Sequence, residues 1–144
     1  MTGLAITALA PGYLAGLAEA LDAANLPTAD LAEPGRTFFR FNAGGLVGYG
    51  GLEGETTDRL IRSVVILPER RALGLGRALV TMLEQEARHR RACRLHLLTT
   101  TAAPFFRILG YADADRRLAP PAVASSREFT ALCPASAVYL TKAL

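Results

Sequence analysis

The feature that most constrains this chain is a β-branched segment that runs into a proline and then a glycine-containing loop. Residues 59–67 (RLIRSVVIL) form the most β-branched run in the chain, which predicts a buried central strand. Pro68 ends that run, and apolar residues then recur at helical spacing, namely Leu75, Leu79, Met82, Leu83 and Ala87. This spacing predicts a helix over residues 75–90. The unit predicts a strand, a loop and a helix in direct succession at the centre of a sheet.

The loop between this strand and this helix has the composition of a phosphate-binding loop. Gly74 and Gly76 allow backbone amides to approach a ligand without a Cβ in the way. The helix behind them directs its free N–H groups and its positive dipole at the same ligand. Arg70, Arg71 and Arg77 can add charge-assisted contacts. The sequence therefore predicts that this loop binds an anionic group.

Three kinds of phosphate loop can be compared with this segment. A Walker A loop (GxxxxGK[ST]) requires a lysine that the segment lacks, which excludes ATPase or GTPase chemistry. A dinucleotide loop requires GxGxxG, but Leu79 stands where the third glycine should be. The pyrophosphate loop of acetyl-CoA-dependent transferases, [QR]-x-x-G-x-[GA], is matched at each defined position by residues 71–76 (RALGLG). The hexapeptide alone is weakly specific, but its position between this strand and this helix makes the match strong.

The rest of the chain alternates short strands with helices. We predict strands over residues 3–8, 37–41, 46–52, 94–100, from 111 onward and over 136–144. We predict helices over 11–24 and 103–110, and a small helix that begins at a Ser125–Glu128 capping box and ends before Pro134. Residues 25–35 are rich in turn-forming types. This order predicts an α/β (α+β) fold, a mixed sheet covered by helices, in a single domain spanning residues 1–144.

Composition excludes several other classes of protein. Apolar residues make up 51% and charged residues 20% of the 144, enough to bury a core. No apolar run approaches the ~20 residues that span a bilayer, and the N-terminus lacks the basic region of a signal peptide. Cys93 and Cys133, with two histidines elsewhere, make neither a disulfide framework nor a metal cluster. These features lead us to expect a reducing cytoplasm, no metal and no membrane. We also expect no nucleic-acid partner, because the net charge of +3 is small and scattered.

With these residues in view, the chain resembles the GCN5-related N-acetyltransferase (GNAT) superfamily. The segment LLTTTAAPFFRILGY (97–111) looks like a second signature of that superfamily, a strand, a loop and a helix ending in F/Y-x-x-L-G-[FY]. More narrowly, YGGLEG (49–54), LIRSVVILPERRALGLGRALV (60–80) and REFTALCPASA (127–137) are similar to the N-acetyltransferases associated with bacterial arsenic resistance. LLTTTAAPFF is also similar to the acetyltransferase domain of N-acetylglutamate synthases.

The resemblance implies both a fold and an activity. The fold is the GNAT acyltransferase fold, with a mixed, mostly antiparallel sheet of about six to seven strands and flanking helices. The activity is N-acetylation with acetyl-CoA as cosubstrate. The acceptor is the primary amine of a small, amino-acid-like molecule, with arsenic-containing analogues as the narrower expectation.

The resemblance also implies roles for individual residues. In the superfamily the central strand diverges from its neighbour and the acetyl-pantetheine arm lies in the gap. That would place Val64, Val65 and Ile66 along the arm, with the Val65 main-chain N–H polarising the thioester carbonyl. The residues implied for the pyrophosphate are Arg71, Ala72, Leu73, Gly74, Leu75, Gly76 and Arg77. The helix that begins near Ala103 would line the other side of the arm, and it carries Phe106 where many relatives have a tyrosine that acts as general acid.

Carboxylates near the end of the hairpin are the candidates for the base that deprotonates the amine. Glu53 is the first choice because it lies at the end of a predicted strand, whereas Glu55 and Asp58 lie in a predicted turn. Arg62, on the central strand, either pairs with an acidic neighbour such as Glu53 or binds an oxyanion of the acceptor. Thr99 either contacts the substrate or ends its strand.

Four other side chains receive structural rather than chemical roles. Tyr49 and Tyr111 could replace the missing acid, but both are better explained as core residues of strands. His96 alternates with leucines and is expected to be partly exposed. Cys133 is expected to be a buried apolar cysteine rather than an arsenic ligand, because one thiol is a poor site for a soft metal.

Two alternative functions stay open on the sequence alone. One is acetylation of a protein N-terminus or of a lysine side chain, and the other is an acyl-CoA-binding module that senses without catalysing. The final predicted strand could also pair with a second copy of the chain in a homodimer, as it often does in relatives.

Overall fold

A seven-stranded sheet forms the centre of the molecule, which we describe from a computed structural model over residues 3–71 and 73–144. The strands are β1 (Ala5–Ala8), β2 (Arg36–Asn42), β3 (Leu46–Glu53), β4 (Asp58–Ile66), β5 (Arg94–Thr99), β6 (Ala112–Asp113) and β7 (Val138–Ala143). Their order across the sheet is β1-β2-β3-β4-β5-β7-β6, so the β-branched run lies at its centre. β4 and β5 are parallel, and the other neighbours are antiparallel. The mixed, mostly antiparallel sheet is the one implied by the resemblance.

Helices cover both faces of this sheet. They are α1 (Ala15–Ala23), α2 (Leu75–His89), α3 (Ala103–Ile108) and α4 (Pro121–Ala124), with a π-helical turn over Glu128–Leu132. Three short 3-10 turns lie at Pro11–Tyr13, Pro68–Arg70 and Arg116–Leu118. Among the described residues, no helix combines the length and the apolar character that crossing a bilayer requires.

The core divides into two clusters, one on each face of the sheet. Leu79 and Leu83 of α2 pack with Phe39 and Phe41 on one face, and Leu17 and Leu21 of α1 pack with Phe38 on the other. Phe38 and Phe39 point to opposite faces because side chains alternate along a strand. The helical spacing of leucines that predicted α2 is therefore the spacing of its buried face.

The pairing between β4 and β5 is short. Only Asp58–Leu60 of β4 lie in register with Arg94–His96 of β5. Beyond Leu60 the two strands diverge, although β4 continues to Ile66 and β5 to Thr99. The sheet is therefore open between its two middle strands over the second half of β4.

Most predicted elements are confirmed, and three details of the second half of the chain were wrong. The strand expected from residue 111 is only the two-residue β6. The Ser125–Glu128 capping box does not form, because Ser125 Oγ donates to the Pro121 carbonyl and Glu128 is buried at the start of the π-helical turn. His96 is 1% exposed rather than partly exposed, and its ring nitrogens lie 2.7 Å from Asp58 and 2.6 Å from Tyr139.

Candidate active site

The divergence of β4 and β5 opens a cleft of about 990 Å³ in the middle of the sheet. Residues 61–66 of β4 form one wall, and residues 97–102 with Phe105 and Phe106 form the opposite wall. Residues 22–29 and the turn that begins at Glu128 also line the cleft. Arg71 and Gly76, from the predicted phosphate loop, line it as well. One cavity therefore joins the loop at the start of α2 to the charged residues of β4.

The loop leads into α2 through a backbone that suits the binding of an anion. Gly74 adopts a left-handed conformation (φ 73°) immediately before the helix, and no side chain caps the helix there. The amides of the first turn have no acceptor within the helix, so they can bind an anion. An added Cβ at Gly76 would lie 3.4 Å from the ring of Phe105, which leaves little space for a larger residue.

The arginines of the loop have different roles. Arg71 lines the cleft and donates through Nε to the Ile66 carbonyl, 3.0 Å away. Arg77 is exposed on the first turn of α2, and Leu73 is also exposed. Arg70 instead donates to the carbonyls of Ala43 and Gly44 in the hairpin turn, so its guanidinium is held away from the loop. Ala72, which the resemblance assigns to the pyrophosphate site, lies outside the described residues.

A β-bulge interrupts β4 where it lines the cleft. Tyr49 lies opposite Val65 and Gly51 opposite Arg62, so Ser63 and Val64 together face the single residue Gly50. Ser63 has a left-handed backbone (φ 58°), a conformation that costs a serine about 1 kcal/mol. The bulge changes which face of the sheet each side chain reaches. Ile61 belongs to the core cluster that packs against α2, and Val65, four residues later, belongs to the core cluster that packs against α1. Such bulges re-aim the backbone next to functional sites.

The register after the bulge decides which amides face the cleft. The Leu67 amide donates to the Val47 carbonyl, so the N–H and C=O of Leu67 point toward β3. Because these directions repeat every second residue along a strand, the N–H and C=O of Val65, opposite Tyr49, also point toward β3. The N–H and C=O of Ile66 point away from β3, and the carbonyl accepts a hydrogen bond from Arg71 Nε. Val64, Val65 and Ile66 all line the cleft. The prediction that the Val65 amide polarises the thioester conflicts with this register, which directs the Ile66 amide to the cleft instead.

A buried ion-pair cluster lies where β4 enters the cleft. The Arg62 guanidinium makes two bonds to Asp30, Nη1–Oδ2 at 2.6 Å and Nη2–Oδ1 at 2.7 Å, and Nη1 also lies 2.8 Å from Glu53 Oε1. Arg62 Nε lies 3.4 Å from Glu128 Oε2. Arg36 pairs with Asp30 at 2.9 Å and lies 3.6 Å from Glu53. We call these five residues the Arg62 cluster.

Burial and charge set the protonation of the Arg62 cluster. Burial would raise the pKa of Asp30, but its bonds to Arg62 and Arg36 outweigh that effect and hold the pKa below its usual value. Burial would lower the pKa of Arg62, and the three carboxylates raise it instead. Burial raises the pKa of Glu128 to about 7, despite the opposing charge of Arg62. Glu128 is thus the member of the cluster that changes charge near neutral pH.

The structure separates the predicted acceptor-side residues. Glu53 lies at the end of β3 as expected, but its carboxylate is bonded to Arg62 and it does not line the cleft. Of the two alternatives for Arg62, the structure shows the pairing with Glu53; the residue is among those that line the cleft, but its side chain is fully buried. Thr99 lines the cleft, and its Oγ1 accepts the Ala102 amide at 2.9 Å. A substrate contact by Arg62 or Thr99 stays a prediction.

Of the remaining candidates, Glu55 and Asp58 lie outside the lining of the cleft, whereas Phe106 and Cys133 line it. Glu55 is exposed, and Asp58 begins β4 and bonds to His96. Phe106 is 6% exposed, lines the cleft, and packs edge-on against Tyr111. Cys133 is half-buried and lines the cleft, and burial raises its pKa to about 11.

Sequence reasoning missed Asp30 and Glu128. Asp30 falls in the turn-rich stretch 25–35, and Glu128 was assigned to a helix cap. The available signal was Arg62 itself, because a buried arginine on a central strand needs several carboxylates around it. The sequence gives no indication of which distant acidic residues supply them.

Comparison with known proteins gives the class of this protein. Residues 33–113, more than half of the chain, match the family model described as an acetyltransferase (GNAT) domain. The chain belongs to the GNAT acetyltransferase family. Among curated proteins, no sequence matches it.

Solved structures share the fold at low sequence identity. The N-acetylglutamate synthase of Neisseria gonorrhoeae, complexed with coenzyme A and L-arginine, is 18% identical with a TM-score of 0.79 over 100% of this chain. This chain covers 34% of that enzyme, about a third of its length. The Mycobacterium tuberculosis protein Rv2747, in complex with CoA, is 19% identical with a TM-score of 0.76, over 97% of this chain and 99% of that one. A GNAT-family acetyltransferase from Staphylococcus aureus is 15% identical with a TM-score of 0.74, over 99% of both chains.

Proposed function

We propose that this protein transfers the acetyl group of acetyl-CoA to the primary amine of a small, amino-acid-like molecule. The observation that carries the proposal is the single cleft between β4 and β5, with free amides of an anion-binding loop at one place and the Arg62 cluster at another. The loop amides fit the diphosphate of coenzyme A, and the Arg62 cluster fits a polar acceptor. We also propose that residues 1–144 form one acetyltransferase domain.

The loop and the two walls of the cleft would each bind a different part of acetyl-CoA. The pyrophosphate would be held by the N-terminus of α2, with Gly74, Leu75, Gly76 and Arg77, and by the preceding residues Arg71, Ala72 and Leu73. The cleft-facing backbone of Val64 to Ile66 offers hydrogen bonds to the pantetheine arm, because β5 pairs with that side of β4 only as far as Leu60. Phe106 would contact the arm from the opposite wall.

The geometry favours direct transfer within a ternary complex. The amine nitrogen attacks the thioester carbonyl, the C–N bond forms, and the C–S bond breaks. A cleft-facing main-chain N–H of β4 would stabilise the oxyanion. Cys133 is a poor covalent nucleophile because burial keeps its thiol protonated at neutral pH. Phe106 cannot donate a proton, and a thiolate leaving group needs little help because a thiol is far more acidic than an alcohol (pKa about 8.5 for cysteine).

Two lines of support concern the acceptor. Sequence similarity to arsenic-resistance N-acetyltransferases favours an arsenic-containing analogue of an amino acid, and one structural relative is an N-acetylglutamate synthase.

The two free cysteines agree with a cytoplasmic setting. A homodimer through β7 stays a prediction, and β7 already lies between β5 and β6.

Release of free thiol from acetyl-CoA tests the activity. The acceptors are amino acids, arsenic-containing amino-acid analogues, simple amines and peptides. Turnover with amino-acid-like amines supports the proposal, turnover only with peptides supports protein acetylation, and tight acetyl-CoA binding without turnover supports a sensor.

A glycine substitution tests the position of the pyrophosphate. Gly74→Glu should weaken acetyl-CoA binding by more than about ten-fold, because a carboxylate in the loop repels the diphosphate. Gly35→Glu is the matched control, since both glycines have positive φ (73° and 84°) and no described neighbour lies within 4 Å of a Cβ added at either. Calorimetric Kd values for both variants make the comparison, and equal Kd values would contradict the placement.

A further inference from the structure

We propose that Glu128 accepts the proton of the acceptor's ammonium group and is the general base of the transfer. This inference rests on the proposed function and names the residue that generates the reactive amine.

The first support is the position of Glu128. It begins the turn Glu128–Leu132, is 4% exposed, and lines the cleft across from β4. In the part of the chain that the structure describes, its carboxylate accepts no hydrogen bond, and its ion-pair contact is Arg62 Nε at 3.4 Å. Among the described residues, no side-chain oxygen that is fully buried lacks a hydrogen-bond partner, so the oxygens of Glu128, which accept none, are not fully buried. Free lone pairs that face the cavity are what a base requires.

The second support is that the other two carboxylates of the Arg62 cluster are occupied. Both oxygens of Asp30 bind Arg62, and Arg36 adds a third bond. Glu53 accepts from Arg62 at 2.8 Å and lies outside the lining of the cleft. A carboxylate held by an arginine is a weaker base, because the cation stabilises its ionised form.

The third support is the charge of the cluster. Arg36 and Arg62 carry two positive charges against three carboxylates, so the cluster has a net charge of −1 when Glu128 is ionised and zero when it is protonated. An ionised Glu128 therefore attracts a cationic ammonium rather than an oxyanion. Uptake of the ammonium's proton neutralises the cluster.

Four charged side chains act on the Glu128 carboxylate: Asp30, Arg36, Glu53 and Arg62. Burial raises its pKa to about 7, Glu53 and Asp30 act in the same direction, and Arg62 and Arg36 oppose them. Cys133, on the same turn, stays neutral. A base that titrates near the working pH is well matched to removing a proton and releasing it again.

The proton balance of the step is complete. The ammonium R–NH3⁺ gives one proton to the Glu128 carboxylate and becomes R–NH2. After the amine attacks, the second proton leaves the nitrogen of the tetrahedral intermediate as the C–S bond breaks, and it is taken up by the departing sulfur. The products are the N-acetyl amide and coenzyme A thiol, and Glu128 returns its proton to solvent.

The test compares Glu128→Gln with the wild type over a range of pH. We expect kcat/KM to fall by about 10²-fold or more, with unchanged Kd for acetyl-CoA, and the low-pH limb near pH 7 to disappear. An acceptor that is already neutral at pH 7, such as hydroxylamine, should react with both proteins at similar rates. Glu128→Asp, which keeps a carboxylate, should retain the limb with reduced kcat.

Two controls make the outcome decisive. Glu84→Gln removes another buried carboxylate, one bonded to Tyr111 and Lys142 outside the cleft, and should leave kcat/KM within about three-fold of the wild type. Glu53→Gln tests the competing base. Unchanged kcat/KM and pH limb in Glu128→Gln, or loss of the limb in Glu53→Gln alone, would overturn the inference.

The design also separates this inference from the proposed function. Wild-type turnover with a small amine and an unaffected Glu128→Gln variant overturns the role of Glu128 alone. Binding of acetyl-CoA without turnover of any amine by the wild type overturns both.

Discussion

Within the described ranges 3–71 and 73–144, three residues other than glycine adopt positive φ, and two of them lie at informative places. Ser63 has φ 58° in the bulge that lines the cleft, where the unusual conformation shifts the register of β4. Arg91 has φ 68° just after α2. There the Ala92 amide donates to the Ala87 carbonyl and the Arg91 amide to the Arg88 carbonyl, the bonds of a Schellman motif. Glycine is the residue usually found at that position.

Arg91→Gly should stabilise the protein because glycine adopts this conformation without steric cost. We expect the free energy of unfolding to rise by about 1 kcal/mol, measured by urea denaturation. Arg91→Ala is the control, since it removes the exposed side chain and keeps a Cβ at positive φ. A larger gain for alanine than for glycine would show that the side chain, not the backbone, is the source of the effect.

At the scale of elements, α2 is joined to the C-terminal part of the sheet by a buried carboxylate. Glu84 of α2 accepts from the Tyr111 hydroxyl at 2.8 Å and from Lys142 of β7 at 3.0 Å. Burial raises the pKa of Tyr111, and its hydroxyl faces Glu84 rather than the cleft. Tyr111 is therefore a structural residue and not a substitute for the missing general acid.

Tyr111→Phe should cost about 2 kcal/mol of stability, because it removes a hydrogen bond to a buried carboxylate. Its rate of acetyl transfer at 25 °C should match that of the wild type. Tyr13→Phe, at a tyrosine that is 74% exposed, is the control and should change neither quantity. Urea denaturation and thiol release measure the two effects, and a large loss of kcat with normal stability would return Tyr111 to the chemistry.

Sequence patterns predicted those elements whose own residues decide their structure. α2 has a regular apolar face, and β4 has a dense β-branched run that is buried at Leu60, Ile61 and Val65. The stretch between Tyr111 and Val138 differs, because its short elements depend on contacts with distant strands. Ala112 and Asp113 form a strand only by pairing with Thr141 and Leu140. Local propensity contains no information about such pairings.

At the scale of the whole molecule, the same limit applies to the site. The phosphate loop is contiguous, and its strand, glycines and helix could be recognised together in residues 63–80. The Arg62 cluster draws its members from residues 30, 36, 53, 62 and 128, which only the folded chain brings together. The identity of its cleft-facing carboxylate therefore required the structure.

Two buried groups give the stability of the molecule opposite dependences on pH. The pKa of Glu128 is about 7 in the folded state against an ordinary 4.5, so the folded state binds more protons between these values and stability falls as pH rises. Burial lowers the pKa of His96 below 6.5, so the unfolded state binds more protons just below that pH and stability rises with pH. The two effects partly cancel.

Glu128→Gln should remove the first of these effects and leave the second. We expect the free energy of unfolding to increase more steeply with pH between 4.5 and 7 than in the wild type. Urea denaturation at several pH values measures the slope. Glu86→Gln, at the exposed partner of Arg90, is the control and should keep the wild-type slope. Parallel slopes for all three proteins would contradict the assignment.

The short ladder between β4 and β5 also has a mechanical consequence. It divides the sheet into two halves, β1 to β4 and β5 with β7 and β6, that share three residue pairs and the bond between Asp58 and His96. These contacts lie at one end of the cleft, so strand pairing joins the two halves at that end only, while the core under α2 packs against strands of both halves. Rotation of the halves about that end would change the width of the cleft most at its open end, near the loop before α2. A cosubstrate bound between the two halves would contact both of them and so limit this rotation.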